Sequence, residues 1–394
     1  MTQARVLRNS ERITRVAADA LAEDGWSALA PTTVSRRSGL SPRAVSTRYP
    51  TRPDVGAAAW HAHAGPTLQA TLTDILTASG LLDAPGSEAD FVAVMRSVAQ
   101  PSVDLLAAAE LLVLARFEPV LREALDATLA PTVAQWCEPV PGKITRAAAA
   151  RRAYLLMVAL GLIAAGRRPG ATDLDLTDEI TGLHRVLLND LAPVRLPTAR
   201  ALHAHQRTAF DTGDPIQDDL LTATLDRVGH LGFDAATTMT IASAAGHSET
   251  TIFIRYPSKL ALFIDAAARQ QAIAFRANEA FTERLEARHG LAIAEAVNIR
   301  EFLHPDLDLQ RAIYAETIRM SWHDEELRDR QEAEITTFID EMHRTHADWP
   351  AGTTEAAAHM SYATGIGYAL LPLLAPDAWK LPYDVVTRAL PGGA

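Results

Sequence analysis

Within the 20 residues from Thr33 to Arg52 stand five arginines, Arg36, Arg37, Arg43, Arg48 and Arg52, interleaved with the hydroxyls of Thr33, Ser41, Ser46 and Thr47. A guanidinium is a planar fork of donors that grips guanine O6 and N7, or a phosphate, through two bonds at once. The stretch returns 207 residues later, with Thr240, Ser248, Thr250, Thr251, Phe253 and Lys259 at matching places. The chemistry on offer is hydrogen bonding to a polyanion. The histidines suggest metal binding less well. His61 and His63, and again His203 and His205, are two residues apart, a spacing that points to different faces of a helix. His343 and His346 could share a face, but no cysteine or second pair completes a four-ligand site. Gly-rich phosphate loops, nucleophile elbows and metalloprotease motifs are absent from the sequence, so it offers no sign of an enzyme, a cofactor or a metal.

Two short helices and a turn must position those side chains. Residues 33–52 and 240–259 align without a gap and share Thr33/Thr240, Gly39/Gly246, Ser41/Ser248 and the run Arg48-Tyr49-Pro50/Arg255-Tyr256-Pro257. Upstream, Gly25-Trp26 lies over Gly232-Phe233. Thr32 and Thr33 are expected to cap the first helix. Gly39 and Gly246 end it by adopting positive φ. Ser41 and Ser248 cap the second, with Pro42 at its first position. Pro50 and Pro257 stop that helix about two turns on. This pattern matches a DNA-binding helix-turn-helix, whose second helix enters the major groove. In that setting Arg43, in the first turn of the second helix, is placed to read a base. Ser46 and Thr47 lie one turn on, and Thr33, Arg36, Arg37 and Arg52 are placed for phosphate. Val45, Tyr49, Ile252 and Tyr256 read as core.

Both copies resemble the DNA-binding head of the TetR family of bacterial transcriptional regulators. The second carries Ile241-Ala242, Ala245-Gly246, Ser248, Thr251, Phe253 and Tyr256-Pro257-Ser258-Lys259. The first departs from the pattern, with Ser46 where the family has an aromatic and Thr51-Arg52-Pro53 in place of Ser-Lys-x. The resemblance implies double-stranded DNA as a partner. It also implies a small, apolar effector held in each helical body, and pairing through the last two long helices.

The chain has 394 residues, of which 48% are hydrophobic and 22% charged, as expected of a globular protein of two to three domains. Its single cysteine, Cys137, excludes an intrachain disulfide and favours a cytoplasmic setting. The longest apolar run, Ala153–Ala165, is too short to span a bilayer, so no membrane partner is expected. It reads as a central buried helix within 143–168. The expected fold is all-α, in two tandem repeats. Head 1 covers 1–55, helical body 1 covers 56–192, a linker covers 193–215, head 2 covers 216–262 and helical body 2 covers 263–394. Further helices are expected over 87–99, 102–116, 118–137, 173–191, 259–288, 291–303, 306–346 (with a break), 353–374 and 381–390, and a break near Gly65-Pro66.

The heads differ in charge. Residues 1–60 hold nine basic and five acidic side chains, whereas 208–267 hold three and eight, within a chain of net charge −11. Glu249 opens the second recognition helix, where a carboxylate repels phosphate. The expectation is a ligand-responsive transcriptional regulator, a repressor, whose repeats pair within one chain as a pseudo-dimer. The alternative is a ligand-binding or scaffold protein that kept the architecture and lost DNA binding. The sequence identifies no effector-binding residue.

Overall fold

The computed structural model describes residues 3–82, 85–198, 210–345 and 353–390. These residues form α-helices joined by short turns, with no strand among them beyond a single bridge between Val140 and Ile144. The helices of the first half are α1 (Gln3–Asp24), α2 (Pro31–Ser38), α3 (Pro42–Ser46), α4 (Arg52–Ala59), α5 (Gly65–Ala78), α6 (Glu88–Ala99), α7 (Val103–Leu114), α8 (Pro119–Ala127), α9 (Leu129–Cys137), α10 (Arg146–Ala165) and α11 (Thr177–Leu188). Those of the second half are α12 (Pro215–Leu231), α13 (Thr238–Ala244), α14 (Glu249–Arg255), α15 (Lys259–His289), α16 (Leu291–Leu303), α17 (Asp308–Ser321), α18 (Glu325–Thr345), α19 (Thr353–Leu370) and α20 (Asp384–Thr387). The expected break near Gly65-Pro66 is instead a widened π turn, Trp60–Ala64, running straight into α5. It absorbs Pro66, which cannot donate to the preceding turn. The stretch expected as one helix over 118–137 divides at Thr128. Residues 199–209, within the expected linker, and His203, His205 and His346 lie outside the described residues.

The chain forms two compact units. One comprises Met1–Asn189 with Ser321–Ala378, the other Asp190–Met320 with Trp379–Ala394. In the first, α10 is the centre. Eighteen of its twenty residues are buried, so its apolar length is accounted for by packing within the unit. Such a helix must find apolar partners on all sides, and α19, from the stretch read as body 2, supplies one. The two backbones come very close. A Cβ added at Gly161 would lie 1.7 Å from the Ala363 carbonyl oxygen, and one at Gly367 would lie 1.9 Å from that of Met157. Gly161 and Gly367 are 206 positions apart, as are Met157 and Ala363. The contact is therefore reciprocal under one shift along the sequence.

In the second unit, α12, α13, α14 and the start of α15 enclose a core of Leu221, Val228, Ile241, Ile252 and Phe263. The 31-residue α15 continues well beyond it and packs along α16. The short α20 closes against α16, where the Thr387 hydroxyl donates to the Ala292 carbonyl at 2.6 Å.

Candidate nucleic-acid interface

In the first unit α1, α2 and α3 form the head. Ile13, Ala17 and Leu21 of α1 are fully buried, as are Val34 of α2 and Val45 of α3. Gly39 takes φ +62°, a left-handed conformation that costs a glycine little. Ser41 then accepts the Ala44 N–H at 3.2 Å to cap α3, and Pro42 opens that helix. The start of α2 corrects one expectation: Thr32 and Thr33 do not cap it. The helix begins at Pro31, whose missing N–H needs no acceptor at the first position, so both threonines fall inside the first turn. In the second unit the cap expected from the Ser248 hydroxyl is not made, and a cap forms instead at the start of α13. Thr237 and Thr240 form a capping box on α13, with the Thr240 N–H donated to the Thr237 hydroxyl at 3.1 Å. Gly246 takes φ +74°, and Ser248 precedes α14, its hydroxyl spent on Thr251 at 2.9 Å. Val45 and Ile252 are core as expected, as is Tyr256, which burial and Asp265 push up to about 12.

The polar side chains of the first head divide into committed and uncommitted groups. Arg36 and Arg43 are exposed, and neither makes an ion pair among the described residues. Ser41, Ser46 and Thr47 are exposed beside them, and Thr33 is half-buried. Arg37 is held by Glu23, at 3.1 Å, and by Asp24 at the end of α1. Arg52 is half-buried with its guanidinium 5.7 Å from the Trp26 ring centre. Arg48 donates to the Val6 carbonyl at 2.9 Å and the Ser10 hydroxyl at 2.7 Å, stapling the end of α3 to α1.

In the second head all three cations of 208–267 have acidic or backbone partners. Arg255 pairs with Asp214 at 3.0 Å and Arg227 with Asp226 at 3.4 Å. Lys259 donates to the Phe233 carbonyl at 2.7 Å and lies 4.0 Å from the centre of its ring. Burial holds the Lys259 ammonium below the usual lysine range, against the opposing pull of Asp234 and Glu316. Glu249 accepts from the Thr238 hydroxyl, tying the start of α14 to the start of α13. Thr250, Phe253 and Ile254 form the outward face of α14, with Phe253 54% exposed. Arg52 over Trp26 and Lys259 over Phe233 are the same contact 207 residues apart.

Sequence reasoning missed the residues that join each head to its body. The Trp26 N–H donates to Glu110 Oε1 at 3.2 Å, and the Phe233 N–H donates to Glu316 Oε1 at 2.8 Å. Both carboxylates are buried. The available signal was an isolated carboxylate in the apolar run of α7, repeated 206 residues on in α17. Arg167, beyond α10, donates to the carbonyls of Leu21 and Ala22 at 3.1 and 2.8 Å and so satisfies the end of α1.

No curated protein matches the chain. Residues 220–266 match the family model for bacterial regulatory proteins of the tetR family, from the middle of α12 to the first turns of α15. The second head is thus a helix-turn-helix of the TetR type, the DNA-binding module of that class of transcriptional regulators.

Proposed function

We propose that this chain is a ligand-responsive transcriptional repressor whose two repeats pair with each other as an intramolecular pseudo-dimer on double-stranded DNA. The observation that carries the reading is the TetR-type head at 220–266 together with a second helix-turn-helix of the same plan at 31–46. The reciprocal approach of Gly161 and Gly367 supports pairing, because an isologous interface places residue i against j and j's counterpart against i's. The small, apolar effector rests on the family resemblance. Repression would be relieved by an effector that binds better to a state unsuited to DNA.

The heads contribute unequally in this reading. Arg36 and Arg43 are exposed and make no ion pair among the described residues, whereas the cations of the second head have acidic or backbone partners. Phosphate affinity scales with available Lys and Arg, so the first head supplies most of it. Fluorescence anisotropy on duplexes from the DNA upstream of the gene is the test. Arg43→Ala is expected to cost about 1–3 kcal/mol at one base position, and Arg36→Ala to reduce the salt slope by roughly one unit. Sequence-independent binding, or binding indifferent to both changes, would overturn the reading. The partnered cations and Glu249 favour a second reading, in which head 2 is a scaffold. In that case a chain carrying both arginine changes binds no duplex at all.

A further inference from the structure

The two head–body joints rest on the same buried carboxylate but are closed in different ways. In the second unit Glu316 is gripped by Arg319, one turn along the same helix, through Nε and Nη2 at 2.8 Å each. Arg319 also reaches Asp234, just beyond Phe233, at 3.3 Å. That joint is built from residues close in sequence to the helix and the head it connects. In the first unit the residue three places after Glu110 is Val113, which has no donor. Glu110 Oε2 is instead met by His323 Nε2 at 3.0 Å, 213 residues away in sequence. The His323 ring also fills the space beside Gly25, where an added Cβ would lie 2.5 Å from it. The neighbouring Trp322 covers Arg167, whose guanidinium is 4.9 Å from its ring centre and holds the end of α1.

We infer that the Trp322–His323 corner between α17 and α18 is a positioning clamp for the first head, supplied by the second repeat. Its two side chains act on two of the contacts that fix the head to its body: Trp26 N–H to Glu110, and the α1 carbonyls to Arg167. Glu110 is fully buried, and a buried carboxylate that loses a donor is left with an expensive deficit. Arg15 with Asp104 and Thr14 with His63 also tie α1 to the body, so docking of residues 321–378 in the first unit tightens the hold on the first head at its Trp26 end. The second head keeps its own Arg319. A movement of α18 and α19 would loosen one head and spare the other.

The geometry of the clamp stands without DNA; its consequence for DNA rests on the proposed function. The test accordingly reads the clamp alone, by amide hydrogen exchange on the full chain, comparing the Trp26 and Phe233 amides. His323→Phe keeps the ring volume and removes the donor, while His323→Gln keeps an N–H donor. The expected result is Trp26 exchange faster by about 10- to 100-fold in H323F, near-native protection in H323Q, and an unchanged Phe233 amide in both. If H323F protects Trp26 as well as the native chain does, His323 is only a space filler and the clamp is wrong. If Trp26 and Phe233 accelerate together, or H323Q fails like H323F, the effect is general loosening and the proposal is likewise overturned. Native-like exchange with no binding to any duplex would instead sink the DNA reading and leave the clamp intact.

Discussion

Gly367→Ala adds one methyl group, and the structure assigns it a large cost. The new Cβ would sit 1.9 Å from the Met157 carbonyl oxygen, whereas ordinary contact begins at 3.4 Å. The obstacle is backbone in the middle of α10, so no side chain can rotate away. The helices must part by about 1.5 Å, and a gap of even 0.5–1 Å forfeits roughly a quarter to a half of each dispersion contact. Overpacking of this kind costs about 1–3 kcal/mol and more where backbone must move, so about 3 kcal/mol is expected. For a unit of this size that lowers Tm by roughly 6–12 °C. Gly161→Ala should behave the same way, since it meets Ala363 at 1.7 Å. Gly182→Ala is the internal control. It lies inside α11 with nothing within 4 Å of its added Cβ, so it should stabilise by about 0.5–1 kcal/mol. Thermal unfolding of the three variants decides the matter. If Gly367→Ala costs less than about 1 kcal/mol, or moves Tm in the same direction as Gly182→Ala, α10 and α19 do not meet as described.

Two further outcomes follow from buried charge. His359 of α19 is almost wholly buried, and burial, with Arg168 adding to it, lowers its imidazole to about 4 from an ordinary 6.5. The unfolded chain therefore binds this proton first as pH falls, so stability is complete above about 6.5 and declines toward pH 4, by roughly 3 kcal/mol. Urea midpoints across that window should show the decline, and His359→Gln should flatten it. Lys259→Ala should weaken the second head itself by about 1–3 kcal/mol, through its lost carbonyl bond and ring contact. Hydrogen exchange over residues 216–262 without DNA reads this directly, and a lysine serving phosphate alone would leave that exchange unchanged.

What the sequence made legible was local. Gly39, Ser41 and Pro42 each dictate the conformation of their own few residues, so the turn and the recognition helix could be placed from them. The same reasoning misplaced the start of α2, because Pro31 opens a helix without needing a cap and so made the threonine hydroxyls unnecessary. The apolar run 153–165 declared a central helix, but nothing in it names α19 as its neighbour. That contact depends on two glycines 206 residues apart, and a glycine in a helix ordinarily reads as a weak point. Charge shows a similar division. Counting side chains revealed that the heads differ, but not which cations remain available. Arg37, Arg255 and Lys259 are consumed by Glu23, Asp214 and the Phe233 carbonyl, partners separated in sequence by up to 41 residues. The least legible feature is His323. Its meaning lies in a comparison, since the donor that Glu316 finds one turn away is missing at Val113 and arrives for Glu110 from the far end of the chain. In the proposed tandem arrangement a donor missing from one repeat is supplied by the other, which makes the pair interdependent where two separate subunits would be identical.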